Sequence, residues 1–145
     1  ACMVLDGELY KRYDCKRGKT PPEGAIPCQE PDPHGHWPHW VKCDRGNLAD
    51  KYHWEGWTNW INTFTNKPKD ATYELVGPRI NGNKQGYQSH ELMRHFDPIP
   101  SIFLPELTFD TIRDFLEKTE IEGIVFHHPD GRMAKIRRSD FGFKW

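Results

Sequence analysis

The stretch EGIVFHHPDGRMAKIRRSDFGFKW, residues 122–145, carries the most structural information in this chain. Residues 121–127 are apolar and β-prone, HPDG at 128–131 is a turn sequence, and residues 132–138 have strand character again. Alternation along the second strand places Lys135 and Arg137 on one face. Two cations near the carboxylate of Glu122 suit a polyphosphate with its metal ion, because Arg and Lys bind phosphate oxygens and a carboxylate binds the metal.

The length of the turn decides whether these three side chains share a face. A four-residue turn at 128–131 places Glu122, Lys135 and Arg137 together and leaves Val125 not facing Lys135. A loop of only 129–131 shifts the register by one residue and is expected to turn Glu122 away, and a bulge at Gly131 would also alter the pairing. A cross-strand salt bridge on a solvated hairpin is the alternative explanation of the three charges.

The hairpin resembles two motifs of the covalent nucleotidyltransferases, with EGIV at 122–125 as motif IV and AKIRR at 134–138 as motif V. This superfamily contains ATP-dependent DNA ligases, RNA ligases and mRNA capping enzymes. The following DFG at 140–142 makes the small RNA ligases of the vertebrate cytosolic type, with their bacterial and phage relatives, the most similar branch. TYELVGPRINGN at 72–83 resembles motif III, and PDPHGHWPHWV at 31–41 resembles a stretch between motifs I and III. Each motif is short, but together they follow the family's order.

The first residues predict a second hairpin, because Asp-Gly at 6–7 lies between two β-prone runs. A two-residue turn there pairs Leu5 with Glu8, Met3 with Tyr10, and Ala1 with Arg12. In the resembled family the nucleophilic lysine of motif I, KxDGT, precedes a hairpin that ends in RYD, as residues 12–14 do here. The resemblance therefore implies that this lysine lies upstream of Ala1, and that residues 1–145 are a partial adenylation domain that does not adenylate itself.

The resemblance implies an ATP-dependent RNA ligase that joins 5′-phosphate and 3′-hydroxyl RNA ends through lysyl-AMP and adenylated-RNA intermediates, using Mg²⁺ or Mn²⁺. It assigns catalytic roles to Lys135 and Glu122, with Glu122 also as a metal ligand. The nucleotide-binding residues that it implies are Arg12, Glu74, Glu122, Lys135 and Arg137, and the residues for RNA or phosphate contact are Lys16 and Arg138. A DNA ligase or capping-type nucleotidyltransferase, or a catalytically dead nucleotide- or RNA-binding module, are the alternatives.

Composition limits the class of protein. A chain of 145 residues suffices for one domain with a buried core, and a net charge of −1 gives no overall attraction to nucleic acid. No apolar run has membrane length, and four cysteines without a CxxC pair favour a reducing, cytoplasmic location. We expect a monomer. Structural zinc is a weaker alternative because the spacing of its candidate ligands is irregular, the ligands being His34, His36, His39 and Cys43.

Two helices are predicted. Residues 47–64 place Trp54, Trp57, Ile61 and Phe64 on one face, which favours core packing over a base-stacking platform. A second helix follows Thr108 as N-cap and ends before Glu120, with an apolar face of Phe109, Ile112, Phe115 and Leu116. Residues 20–38 are expected to be loop or extended chain. The predicted class is an α+β domain of antiparallel strands around a cleft with flanking helices, in agreement with the nucleotidyltransferase fold (an ATP-grasp-like ligase adenylation domain) that the resemblance implies.

Overall fold

Antiparallel strands dominate the computed structural model, which describes residues 1–95, 104, 106–128 and 133–144. The chain divides into two units, Ala1–Asp97 and Pro98–Trp145. The first unit contains a six-stranded sheet in the order β3-β4-β2-β1-β5-β6. Its elements are β1 Cys2–Leu5, β2 Glu8–Cys15, β3 Ile26–Pro27, β4 Trp37–Lys42, α1 Lys51–Phe64, β5 Ala71–Val76 and β6 Glu91–Arg94.

The hairpin predicted at the start of the chain is confirmed. Asp6 and Gly7 both have positive φ angles, 51° and 71°, as a two-residue hairpin turn requires. Met3 pairs with Tyr10 and Leu5 with Glu8. The backbone N–H of Arg12 donates to the carbonyl of Ala1 at 3.2 Å, which completes the predicted pairing.

The core of the first unit lies between the inner face of the sheet and helix α1. Asn47 caps a short 3-10 turn, Leu48–Asp50, and α1 follows directly, so the helix predicted at 47–64 is confirmed. Trp57 is buried, and Gly56 lets the helix approach the sheet, since a Cβ there would lie 3.2 Å from Leu75. The buried strand residues around them are Cys2, Val4, Leu9, Tyr73, Leu75 and Leu92.

Two residues assigned to buried helix faces are exposed instead. Phe64 is 52% exposed because it is the last residue of α1, and its ring packs on Trp60 at 4.5 Å between centroids. Phe109 is 66% exposed because it begins the second helix, where its ring contacts Phe141. Periodicity places a residue on a face, but a helix end can extend beyond the surface that covers that face.

The second unit contains helix α2, Phe109–Lys118, followed by the hairpin of β7, Gly123–His127, and β8, Met133–Arg137. Thr108 is the N-cap of α2, with its hydroxyl accepting from the Thr111 N–H at 3.3 Å, and the helix ends before Glu120 as predicted. Leu116 of α2 is fully buried. A short 3-10 turn, Arg138–Phe141, follows β8. The α+β class is therefore confirmed.

Membrane insertion was not expected from the sequence. Within the described ranges, neither α1 nor α2 has the length and the continuous apolar character that crossing a bilayer requires.

We expect Gly77→Ala to destabilise the first unit strongly. Gly77 has φ of 147°, and a Cβ there would lie 2.8 Å from the Cα of His90, whose ring is held by Glu55 at 2.6 Å. The combined backbone strain and overpacking should lower the free energy of unfolding by about 2–5 kcal/mol in urea titrations.

Gly82→Ala is the matched control for this prediction. Gly82 also has positive φ, 73°, but a Cβ there meets nothing within 4 Å. Gly82→Ala should therefore lower the free energy of unfolding only by the strain of alanine in the left-handed conformation, about 1–2 kcal/mol. Equal losses in the two variants would contradict the steric role of His90.

Candidate functional site

Three charged side chains meet at the C-terminal hairpin of the second unit. Lys135 Nζ donates to Glu122 Oε1 at 2.8 Å, and Arg137 Nε lies 3.6 Å from the same oxygen. The exposed fractions of their side chains are 47% for Glu122, 38% for Lys135 and 52% for Arg137. The structure thus brings together the three hairpin residues that the sequence singled out, at a surface that a ligand can reach.

The strand register differs from the one expected to bring Glu122 to this face. Val125 lies opposite Lys135 and Gly123 opposite Arg137, which is the register of the shorter loop. The expectation that this register turns Glu122 away is wrong. Glu122 lies in a bend before β7, so the alternation of the strand does not apply to it. Residues 129–132, which include most of the turn, lie outside the described residues.

Gly123 allows the two strands to approach closely beside Glu122. A Cβ at Gly123 would lie 2.9 Å from the Cα of Arg137, which no real side chain tolerates. The carbonyl of Glu122 accepts from the Arg138 N–H at 3.0 Å, which fixes the bend. Gly123 is therefore part of the local geometry that directs the Glu122 carboxylate toward Lys135, because a glycine lets one strand lie this close to another.

Two residues that follow β8 hold the end of the strand. The Asp140 carboxylate accepts from the Arg137 N–H at 2.7 Å. The guanidinium of Arg138 donates to the carbonyls of Leu116, Thr119 (2.6 Å) and Lys144 (3.0 Å), so it satisfies carbonyls at the end of α2. Sequence analysis missed both structural roles, although Asp three residues after Arg137 is a capping pattern.

The sheet of the first unit positions Arg12 and Glu74 on either side of Ala1. Arg12 pairs through its backbone with Ala1 on one side, and Glu74 Oε2 lies 3.4 Å from the backbone nitrogen of Ala1 on the other. Their sequence neighbours Lys11 and Tyr73 point to the inner face, so Arg12 and Glu74 lie on the outer face, away from α1. Arg12 is half exposed, and its Nε donates to Asp14 at 2.9 Å.

Glu74 is held in its ionised form. Burial opposes ionisation and is the largest single effect, but a hydrogen bond from His95 favours the carboxylate, and the pKa of Glu74 is lowered. His95 Nε2 lies 3.5 Å from Glu74 Oε2, and its Nδ1 contacts the hydroxyl of Thr72 at 3.0 Å. An ionised carboxylate on an accessible strand face is a strong acceptor for hydroxyl groups.

Two further predicted residues are Lys16 and Arg138. Lys16 is exposed directly after β2, and its contact to phosphate or RNA stays a prediction. Among the described residues, Nε and Nη1 of Arg138 bind carbonyls, which leaves its Nη2 N–H groups to contact a ligand.

The structure does not support the zinc alternative on residues 34–43. The side chains of His34, His36 and His39 do not form a metal-ligating group with Cys43 in the described part of the chain. His36 lies 3.2 Å from Asp32, and the ring of buried His39 contacts the carbonyl of Trp37 at 2.8 Å. Cys43 groups instead with Asp50 and His53, which the sequence analysis did not consider.

Comparison with known proteins defines the class. Residues 61–145 match the model of the family described as RNA ligase 1, which is more than half of the chain. This chain belongs to that RNA ligase family, as the motifs at 122–138 had indicated.

Relatives in two vertebrates agree with the family model. The chain is 29% identical to a protein from Mus musculus named RNA ligase 1, with 88% of this chain and 50% of that protein covered. It is also 29% identical to the protein of the same name from Danio rerio, with 79% of this chain and 43% of that protein covered. The chain thus spans about half the length of the curated relatives it matches.

We expect His95→Ala to raise the pKa of Glu74, because it removes a hydrogen bond that favours the carboxylate. The pKa of Glu74 is lower in the folded state than its ordinary value of 4.5, so its ionised carboxylate stabilises the fold above pH 4.5. This contribution is lost as the pH falls through the folded pKa. The carboxyl carbon shift of Glu74, followed by NMR over an acid titration, measures the change. His36→Ala is the control, and an unchanged Glu74 titration in His95→Ala would contradict the assignment.

Proposed function

We propose that this protein is an ATP-dependent RNA ligase that joins 5′-phosphate and 3′-hydroxyl RNA ends through lysyl-AMP and adenylated RNA. The observation that carries the proposal is the Glu122 carboxylate held by both Lys135 and Arg137, in a member of the RNA ligase 1 family. The names of the relatives from Mus musculus and Danio rerio support ligation as the reaction and RNA as the substrate.

Lys135 and Arg137 are proposed to bind the phosphates of ATP. Both cations lie beside one carboxylate, so a phosphate that enters between them gains two positive partners. During in-line displacement at the α-phosphate, these cations stabilise the charge that builds on the phosphate oxygens. Lys135 would also act in catalysis in this way, which is the role that the family resemblance implied for it.

Glu122 fits a metal-binding role as a single exposed carboxylate. Mg²⁺ or Mn²⁺ in nucleotide-dependent enzymes is held by one or two carboxylates together with water and substrate phosphates. When bound, the ion supplies positive charge at the phosphates. Glu122 would hold it and would also orient the ammonium of Lys135, to which it is already hydrogen-bonded.

Glu74 and Arg12 are proposed to recognise the nucleoside part of ATP. The lowered pKa of Glu74 keeps its carboxylate ionised, so both of its oxygens can accept bonds from ribose hydroxyls. Arg12 lies on the same outer face of the sheet and would exchange its bond to Asp14 for a contact to the nucleotide. We further propose that the chain folds as a nucleotidyltransferase adenylation domain whose nucleophilic lysine precedes Ala1.

The same hypothesis also covers the contacts to RNA, the oligomeric state and the cellular location. Lys16 and Nη2 of Arg138 would contact RNA or its phosphates. We propose a monomeric, cytoplasmic protein whose partners are RNA ends.

Glu74→Ala and Lys135→Ala are each expected to weaken ATP binding. Loss of one charge-assisted hydrogen bond corresponds to about 1.5–3 kcal/mol, or about tenfold to a hundredfold in Kd, measured by calorimetry with Mg²⁺. Glu117→Ala and Lys118→Ala, which change exposed residues of α2, are the matched controls. Affinity equal to wild type in both site variants would overturn the assignment.

A second prediction tests where the nucleophile lies. Residues 1–145 alone should acquire no covalent AMP from ATP labelled at the α-phosphate, whereas a protein that also contains the upstream lysine should. Conversion of that lysine to alanine should abolish labelling. An AMP adduct on any lysine of residues 1–145 would show that the nucleophile is misplaced, and no adduct on the longer protein would favour a nucleotide-binding module without chemistry.

A further inference from the structure

Three potential metal ligands converge near the start of helix α1, inside the first unit. They are the thiol of Cys43, a carboxylate oxygen of Asp50 and an imidazole nitrogen of His53, and these atoms all lie within 4.8 Å of one another. Cys43 is 4% exposed and Asp50 1% exposed. His53 is partly exposed, so the group is buried on the side of Cys43 and Asp50 and is distinct from the exposed carboxylate of Glu122.

Backbone contacts hold the three ligands in place. Cys43 follows β4 directly, and its N–H donates to the carbonyl of Leu9 at 2.8 Å. Asp50 ends the 3-10 turn before α1, and its Oδ2 accepts from the Asp44 N–H at 2.9 Å. His53 lies in the first turn of α1. The ligands therefore come from a strand end and a helix start that the fold fixes relative to each other.

The group contains a buried polar atom that its surroundings do not satisfy. Nδ1 of His53 is buried without a hydrogen-bond partner among the residues that the structure describes. An imidazole nitrogen that carries no proton offers a lone pair to a metal ion. A buried polar atom without a partner destabilises the fold, and a metal ion bound at this nitrogen would satisfy it.

Asp50 has one cationic partner in this structure. Lys11 Nζ lies 2.5 Å from Asp50 Oδ1, and the Lys11 side chain is 25% exposed. A buried carboxylate needs a positive partner, and Lys11 supplies it here. Because the Lys11 side chain reaches solvent, its ammonium can leave the group when another cation takes its place.

We propose that Cys43, Asp50 and His53 form a Zn²⁺ site in which the metal ion and the Lys11 ammonium are alternative partners of Asp50. One thiolate, one imidazole and one carboxylate are ligands that Zn²⁺ accepts in tetrahedral sites, whereas Mg²⁺ and Ca²⁺ prefer oxygen alone. Zn²⁺ with a thiolate and a carboxylate is electrically neutral, which suits a mostly buried position once Lys11 has moved to solvent. Water completes the fourth position.

Binding of Zn²⁺ displaces one proton from the site. In the absence of metal, the buried thiol of Cys43 carries its proton. Formation of the Zn–S bond releases that proton to the buffer, and no oxidant or reductant takes part.

Titration of metal-free protein with Co²⁺ tests the ligand set. Wild type should bind one equivalent, with a near-ultraviolet charge-transfer band from thiolate to cobalt, and Zn²⁺ should remove the band by displacement. Cys43→Ser should abolish the band, and His53→Ala should weaken Zn²⁺ binding at least about tenfold. Cys28→Ser and His36→Ala, which alter exposed residues elsewhere, should leave both unchanged.

Removal of Lys11 gives a second, independent test. Lys11→Met leaves the buried carboxylate of Asp50 without its cation, so the metal-free variant should be less stable than wild type. Zn²⁺ should raise its thermal midpoint by more than it raises that of wild type, because the competitor of the metal is gone.

Any one of three results would contradict the proposed Zn²⁺ site. They are the absence of saturable Co²⁺ or Zn²⁺ binding to wild type, a charge-transfer band that persists in Cys43→Ser, or equal Zn²⁺ stabilisation of Lys11→Met and wild type. If Cys43→Ser does not fold, ¹¹³Cd NMR of wild type decides, because the shift shows whether sulfur is a ligand. None of these measurements uses ATP or RNA, so the proposed ligase activity is tested separately.

Discussion

Antiparallel pairing in a fixed register is the constraint on which the positions of the candidate residues depend. Strand β1 pairs with β2 on one side and with β5 on the other, so its register decides where both neighbours place their side chains. A shift by one residue would move Arg12 and Glu74 to the buried face and bring Lys11 and Tyr73 outward. Burial of Cys2 and Val4 against α1 opposes such a shift, because it would expose apolar side chains and bury charges.

The hairpin of the second unit shows how a local departure from regular structure determines the geometry of a site. In a regular strand with this register, Glu122 would lie on the face opposite Lys135. The bend before β7, and the close approach that Gly123 permits, remove it from that alternation. Asp140 and Arg138 then hold the end of β8 through bonds to backbone groups. The positions of Lys135 and Arg137, which could bind a phosphate, therefore depend on these nearby backbone contacts.

Charges in this protein are used differently according to their burial. The exposed group of Glu122, Lys135 and Arg137 is only weakly stabilising, since water screens each pair, and so it is free to exchange partners with a ligand. The pair of Lys11 and Asp50 is different, because the carboxylate is almost completely buried and a cation must compensate its charge. Such a carboxylate, beside a buried thiol and an imidazole, has the chemistry of a metal ligand.

The sequence by itself determined the helix at residues 47–64, the helix capped by Thr108, the first hairpin and the pairing of Ala1 with Arg12. It also determined the family, through short motifs whose order is specific. These features depend on local periodicity, capping and turn chemistry, which a sequence contains. Only the tertiary structure decided the register of the C-terminal hairpin, the position of Glu122, and the meeting of Cys43 with Asp50 and His53. These depend on loop geometry and on contacts between separate segments, where one residue of shift changes the result.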